Sequence, residues 1–301
     1  MIFFDLGSNT VRAISCDDDT KRKNGAFEVI TRTAEKAHTT GVISDEAIAR
    51  VIKAINAAQD SLNHQQAIGV ATAVYRQARN GASVIAEIFE KTGLVAKIID
   101  GETEAWLTTL AIIDKLEKNE NFILVDIGGA STEVVVKSEA GMIAESFNFG
   151  IVGLAEKHRN YDAILNAVAG EMEPVKEFLR DCTYGFTKPS KFCATSGTPA
   201  TIAALSLGMN NATYDAARID GVVVSHEEMR KQMKRLLTLS SDERARLVGV
   251  GRQDLIIAGC AIFEQMYGAA GFSECFVYDD GLREGLAMAY YNKLINFGES
   301  A

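Results

Sequence analysis

The first 120 or so residues alternate between short apolar, β-rich runs and longer segments with the apolar spacing of a helix. Ile2 to Asp5, Val11 to Cys16 and Ala26 to Thr33 are β-rich runs, and the polar stretch Asp17-Asp-Asp-Thr-Lys-Arg-Lys-Asn-Gly25 joins the last two as a solvated hairpin turn. Ser44-Asp-Glu46 opens a helix with a cap residue and acids in its first turn, predicted to reach about Leu62. A strand at Ala67 to Ala71, a helix from Asn80 to Thr92 stopped by Gly93, a strand at Val95 to Ile99 and a helix from Gly101 to about Glu117 follow. The order is βββαβαβα.

The second half repeats that order. Strands are predicted at Phe122 to Asp126, Glu133 to Lys137 and Met142 to Phe147, a helix from Tyr161 to about Cys182, and a strand at Lys191 to Ala194. Helices come at Thr198 to Leu207, Ser225 to Leu237 and Gln253 to Tyr267, then a strand at Glu274 to Tyr278 and a last helix from Gly281 to about Ile295. Phe3-Phe-Asp-Leu-Gly-Ser-Asn-Thr10 aligns with Leu124-Val-Asp-Ile-Gly-Gly-Ala-Ser131, which supports a duplication. A three-strand meander followed by alternating helices and strands predicts an α/β protein: a mixed sheet flanked by helices in each of two domains, with a cleft between them. The polar segment Lys115 to Asn121 marks the crossing. The expected domains are 1–119 and 120–301, the second with a helical insertion and with its last helix, 286–301, able to pack back on the first.

Composition narrows the function classes. With 47% hydrophobic and 24% charged residues in a 301-residue chain, this is an ordinary soluble globular composition. No apolar stretch approaches the roughly 18 residues of a membrane span, and the chain opens on Met1-Ile-Phe-Phe-Asp5 without a basic leader, so a cytoplasmic location and no membrane partner are expected. A net charge of -9 argues against nucleic acid as a partner. Five cysteines without a C-x-x-C pair read as buried, reduced thiols, and the scattered histidines suggest neither a zinc site nor a histidine mechanism.

The candidate chemistry sits where strands stop. Asp5 precedes the turn Gly7-Ser-Asn-Thr10, and Asp126 precedes Gly128-Gly-Ala-Ser-Thr132. Such turns can hold a phosphate through backbone N–H groups and hydroxyls, and an adjacent Asp can hold a divalent cation; a tight hairpin capped by its own side chains would look the same. Finding one turn in each half favours the functional reading. A third candidate runs from a strand through Ser196-Gly-Thr198 into a helix, where anions bind, although Ser and Thr are also ordinary caps. Arg76 and Arg79 can grip phosphate oxygens or pair with surface acids. Glu102 and Glu104 lie in the first turn of a helix, where a carboxylate stays ionised and can act as a base toward water, but acids are favoured there in any case. Glu133 follows the second turn and alternates with Val134, as an outward hairpin residue would.

Taken in order, Asp5-Leu-Gly-Ser-Asn-Thr10, Ala71-Thr72 with Arg76 and Asn80, Gly101-Glu-Thr-Glu-Ala105, Asp126-Ile-Gly-Gly-Ala-Ser-Thr-Glu133, Gly197-Thr198 and Gly281-Leu-Arg-Glu-Gly285 resemble the exopolyphosphatase and guanosine pentaphosphate phosphatase (Ppx/GppA) family across nearly the whole chain. The resemblance implies two ribonuclease-H-like domains of the actin and sugar-kinase superfamily. It also implies hydrolysis of the terminal phosphoanhydride of polyphosphate or pppGpp, both small polyanions. In that reading Glu104 activates water, and Mg2+ (or Mn2+) sits near Asp126 and Glu133, with Asp5 as a further metal-side carboxylate. Phosphate is gripped by Gly7, Ser8, Asn9, Thr10, Arg76, Gly128, Gly129, Ala130, Ser131, Thr132, Ser196, Gly197 and Thr198. A homodimer is left open. Alternatives are an ATP-dependent kinase of the same superfamily and a noncatalytic binder of (p)ppGpp or polyphosphate. The second rests on Ala130, which stands where the family usually has a third glycine and would strain the turn if that position needs positive φ. Thr103 inside the acidic triplet, Glu35 to Gly41 in place of a Leu-Gly-rich segment, and the end of the chain after its second domain are further departures; the last favours short substrates.

Overall fold

The computed structural model describes residues 1–63, 66–158, 160–185 and 188–297. Residues 298–301, assigned above to the last helix, lie outside that set. The chain divides into two compact units, Met1–Ala111 with Gly281–Ala301, and Ile112–Asp280.

The first unit contains β1 (Ile2–Leu6), β2 (Thr10–Cys16), β3 (Lys23–Ile30), α1 (Ala37–Thr40), α2 (Asp45–Leu62), β4 (Ala67–Ala71), α3 (Ala73–Gln77), α4 (Gly81–Thr92), β5 (Val95–Ile98) and α5 (Gly101–Ile113), the last running just past its boundary. Its sheet has the order β3-β2-β1-β4-β5, with β1, β2 and β3 antiparallel and β4 and β5 parallel to β1. Helix α2 starts as its sequence requires: Ser44 Oγ accepts from the Ala47 N–H, and Ala47, Ile48, Val51, Ala54 and Ile55 form its buried stripe.

The strand expected at 26–33 is shifted to Lys23–Ile30. Its predicted end leaves the sheet for a different set of hydrogen bonds. The Thr31 and Arg32 N–H groups donate to Asn9 O (2.9 Å each), and the Ala34 N–H donates to Ser8 O (2.7 Å).

The second unit contains β6 (Phe122–Ile127), β7 (Thr132–Ser138), β8 (Gly141–Phe147), α6 (Ile151–Lys157), α7 (Tyr161–Gly185), β9 (Lys191–Thr195), α8 (Gly197–Ser206), β10 (Val222–Ser225), α9 (His226–Thr238), α10 (Ser241–Val248), α11 (Ile256–Ala270) and β11 (Glu274–Val277). Helix α12 (Leu282–Tyr291) belongs to the first unit. The second sheet has the order β10-β11-β9-β6-β7-β8, so β6, β7, β8, β9 and β11 occupy the places of β1, β2, β3, β4 and β5. The extra strand, β10, pairs antiparallel with β11. Sequence periodicity missed it because Val222-Val-Val-Ser225 is short, and Ser225 also caps α9 through the Glu228 N–H (3.1 Å). The short helices α3, α6 and α10 were not expected either, and α11 begins at Ile256 rather than Gln253, after a loop in which Gly249 and Gly251 take positive φ.

Strand alternation sets which side chains reach the core. Ile123, Val125, Ile127, Val134 and Val136 point into the main apolar cluster of the second unit, so Asp126 and Glu133 take the opposite face. In the first unit Asp5 shares a face with Phe3, which packs with Ile14, Leu107 of α5 and Leu282 and Leu286 of α12. Among the described residues no helix is long and apolar enough to cross a membrane.

Candidate active site

The two glycine turns have the same hydrogen-bond plan. The Gly7 N–H donates to Thr10 O (3.0 Å), and the Gly128 N–H donates to Ser131 O (2.9 Å). Neither glycine has positive φ; close approach explains both, because a Cβ would lie 2.9 Å from Thr10 O at Gly7 and 2.8 Å from Ser131 O at Gly128. Ala130 does not take positive φ either, so the alanine creates no backbone strain there.

Each turn is braced through its carbonyls. Ser8 O and Asn9 O accept from residues 31–34, as described, while Gly128 O accepts from the Ile151 N–H (3.1 Å) and Gly129 O from the Val152 N–H (2.8 Å) at the start of α6. A trans peptide points its N–H opposite its C=O, so the N–H groups of Asn9 and Thr10, and of Gly129 and Ala130, are turned away from the brace. Successive N–H groups presented this way make an anion-binding concavity. The brace of the second turn depends on Gly150, where a Cβ would lie 2.6 Å from Ala130 N and from Gly129 C and O. Sequence reasoning missed Gly150, since nothing local distinguishes it from a loop glycine.

The turns differ in what surrounds the Asp. Register places Arg12 opposite Asp5 and Glu28 beyond it, with Arg12 Nε 3.3 Å from Glu28 Oε2. In the second unit the same positions hold Glu133 opposite Asp126 and Ser146 beyond it, and Ser146 Oγ donates to Glu133 Oε1 (2.7 Å). Glu133 is not an outward hairpin residue; it is 1% exposed. Directly opposed carboxylates repel, and a cation between them removes that cost. Among the described residues no three or more His, Cys, Asp or Glu side chains gather into a metal cage. The pair Asp126 and Glu133 still fits Mg2+, which is commonly held by one or two carboxylates with water and substrate phosphate oxygens completing its shell.

Several hydroxyls predicted to bind phosphate have structural partners. Thr132 Oγ1 donates to Phe149 O (2.9 Å), and Ser196 Oγ bridges the Ile127 backbone by accepting from its N–H (3.1 Å) and donating to its O (3.0 Å). Ser196, at φ 80°, therefore ties β6 to the start of α8 and makes no side-chain cap bond. Thr198 is buried against Gly259, and Ser131 is buried beside its turn. In the first turn Ser8 Oγ accepts from the Val74 N–H (3.2 Å), which joins the turn to α3. Asn9 Oδ1 is buried and has no hydrogen-bond partner among the described residues; a half-turn of the amide would present Nδ2 donors there.

Helix α3 carries Arg76, whose Nη1 donates to Glu104 Oε2 (2.6 Å) and to Ile99 O (2.9 Å). The base and the arginine selected from the sequence are thus one ion pair, with Glu104 7% exposed. Asp100 starts the helix beneath them by accepting from the Thr103 N–H (2.8 Å), and its hydrogen bonds from the Thr103 side chain and backbone hold its carboxyl below the usual range. Thr103, a departure in the acidic triplet, is therefore part of the helix cap. The Gly281-Leu-Arg-Glu-Gly285 motif is also structural. Glu284 accepts from Lys23 Nζ (2.8 Å), Arg283 Nε (2.8 Å) and the Gly281 N–H (3.0 Å), and a Cβ on Gly285 would lie 1.7 Å from Leu107 O. That contact lets α12 approach α5, the helix that carries Glu104.

Residues 26–294 match the Ppx/GppA phosphatase family. The chain belongs to that family. It is 27% identical to exopolyphosphatase 2 of Mycobacterium tuberculosis, over 95% of this chain and 96% of the relative. Two solved structures superpose over almost their full lengths: an exopolyphosphatase from Cytophaga hutchinsonii (TM-score 0.85, 18% identity, 99% of both chains) and the Aquifex aeolicus Ppx/GppA family member (TM-score 0.72, 25% identity, 98% of both chains). The two helix-flanked mixed sheets are the actin-like two-domain architecture of these Ppx/GppA structures.

Proposed function

We propose that this chain hydrolyses the terminal phosphoanhydride of inorganic polyphosphate, and that pppGpp is a second substrate of the same chemistry. The observation that carries the reading is the Asp126 and Glu133 pair, set across from each other beside a turn whose N–H groups are turned outward. The curated relative named an exopolyphosphatase supports polyphosphate as substrate. Asp126 and Glu133 are the residues that would hold Mg2+, which when bound neutralises charge on the transferring phosphoryl group. Within each unit the outward N–H groups of its turn, Asn9 and Thr10 in the first and Gly129 and Ala130 in the second, are the donors offered to phosphate oxygens. Glu104, oriented by Arg76, takes the proton from the attacking water. Asp5 keeps its place beside the first turn. The case for a noncatalytic binder rested on strain at Ala130 and loses its ground, because that residue is not at positive φ.

The test is phosphate release from polyphosphate and from pppGpp, with and without Mg2+, for wild type and Glu104→Gln. Loss of a positioned general base costs about 10²–10⁴ in kcat. Release that persists unchanged in Glu104→Gln removes Glu104 from the mechanism, and ATP turnover only with an acceptor present would replace the hydrolase with a kinase.

A further inference from the structure

Glu133 is a buried acid whose cross-strand neighbours differ in kind. It is 1% exposed, and its direct cross-strand neighbour on one side is Asp126, another acid. On the other side the neighbour is Ser146, whose Oγ donates to Glu133 Oε1 at 2.7 Å. Ser146 lies near the end of β8, one residue before buried Phe147, so its backbone position is anchored. The equivalent place in the first sheet holds Glu28, which faces Arg12. A hydroxyl thus stands in the second unit where the first unit has a carboxylate, at the same step along the row.

A donor to one oxygen of a carboxylate sets the plane of the group and reduces the entropy lost when the carboxylate takes up a cation. We propose that Ser146 is a positioning residue for the divalent cation: it orients Glu133, and through Glu133 it sets how tightly the cation is held. The proposal rests on the reading that Asp126 and Glu133 bind the metal. Ser146 itself touches neither metal nor substrate.

The experiment is a titration of the whole chain with Mn2+ alone, followed by electron paramagnetic resonance of the free ion, for wild type, Ser146→Ala, Ser146→Thr and Glu133→Gln, with circular dichroism to show that each variant is folded. Partners of ligating carboxylates are worth about 10–100-fold in metal affinity, so Ser146→Ala should bind Mn2+ about tenfold more weakly, and Ser146→Thr, which keeps the hydroxyl, should return to within about threefold of wild type. A role confined to strand packing would leave Mn2+ affinity unmoved in Ser146→Ala, and that result overturns the proposal. Weakening in both Ser146 variants alike overturns it too, because the hydroxyl would then be irrelevant. If wild type and Glu133→Gln bind Mn2+ equally, the metal reading of the site has failed and the role of Ser146 fails with it.

Discussion

The two glycine turns share a backbone and differ in charge. At both, a glycine N–H closes on a residue three positions ahead, and both have their carbonyls captured by the segment that follows the third strand. In the first unit, charges come in pairs of opposite sign: Arg12 with Glu28 and Arg76 with Glu104, and, at the far end of the sheet from the turn, Lys23 and Arg283 with Glu284. Beside the second turn, Asp126 is set against Glu133. Opposite charges placed together satisfy each other, and removing one partner is costly, whereas a buried acid placed against a half-buried one carries a repulsion that a bound cation can offset. In the function proposed here, a duplicated scaffold keeps one copy for positioning a base and the other for a cation, with the difference held in two strand positions.

The largest expected effect probes the paired charges of the first unit. Burial alone would raise the Glu284 carboxyl, but Arg283, Lys23 and the Gly281 N–H outweigh it and hold the group well below the usual carboxylate range. A depressed folded pKa means stability that is present above the ordinary value of 4.5 and lost as pH falls below it. Trp106 is the only tryptophan and lies on α5, so its fluorescence reports on this unit. Glu284→Gln removes the acid that faces buried Arg283 and the more exposed Lys23 and should lower stability at neutral pH by about 3–5 kcal/mol in denaturant titrations read at Trp106. The variant should also lose the part of the wild-type acid sensitivity below pH 4.5 that Glu284 carries. A variant as stable as wild type would show that the opposite-sign pairs do not sustain the unit.

Next comes the like-charge pair. Glu133→Gln should weaken Mn2+ binding by about 100-fold, or about 2.7 kcal/mol, whereas Asp5→Asn in the first turn should leave it within about threefold. Equal losses in both variants would erase the contrast between the turns.

The brace offers a third handle. Gly150→Ala drives a Cβ into the Gly129 and Ala130 backbone and should cost about 1–3 kcal/mol in thermal or denaturant unfolding. Phosphate release should fall with it, because the displaced atoms belong to the proposed phosphate donors. Retained activity with lost stability would mean that the second turn does not grip substrate.

The smallest effect is expected at Ala130. Because its φ is ordinary, Ala130→Gly gains no backbone freedom that the native turn uses, and the more flexible unfolded chain should make the variant less stable by about 0.4–1 kcal/mol. Phosphate release should change less than about twofold. A large gain in rate would show that the alanine detunes the turn after all.

Much of the architecture is legible in the chain because strands and turns obey local rules. Short apolar runs bounded by turn residues identify β1, β2, β6 and β7, and the recurrence of Asp followed by glycine and small polar residues reveals the duplication before any contact is known. The misreadings occurred where local preference yields to distant partners. Thr31 and Thr33 look like strand residues, but their segment is used to brace the first turn. Ser196 looks like a helix cap or a phosphate donor, but its hydroxyl ties together β6 and α8.

What this sequence determined by itself is the pair of turns: residue size at Gly7 and Gly128 permits the close approach, and the flanking apolar runs supply the strands that carry it. What only the tertiary structure decided is the chemistry around them. Register sets Glu133 between Asp126 and Ser146, Arg76 reaches Glu104 across a strand and a helix, and Gly150 makes room for the second turn. Each of these needs residues from separate elements to be brought side by side, and that is settled by how the strands pair and the helices pack.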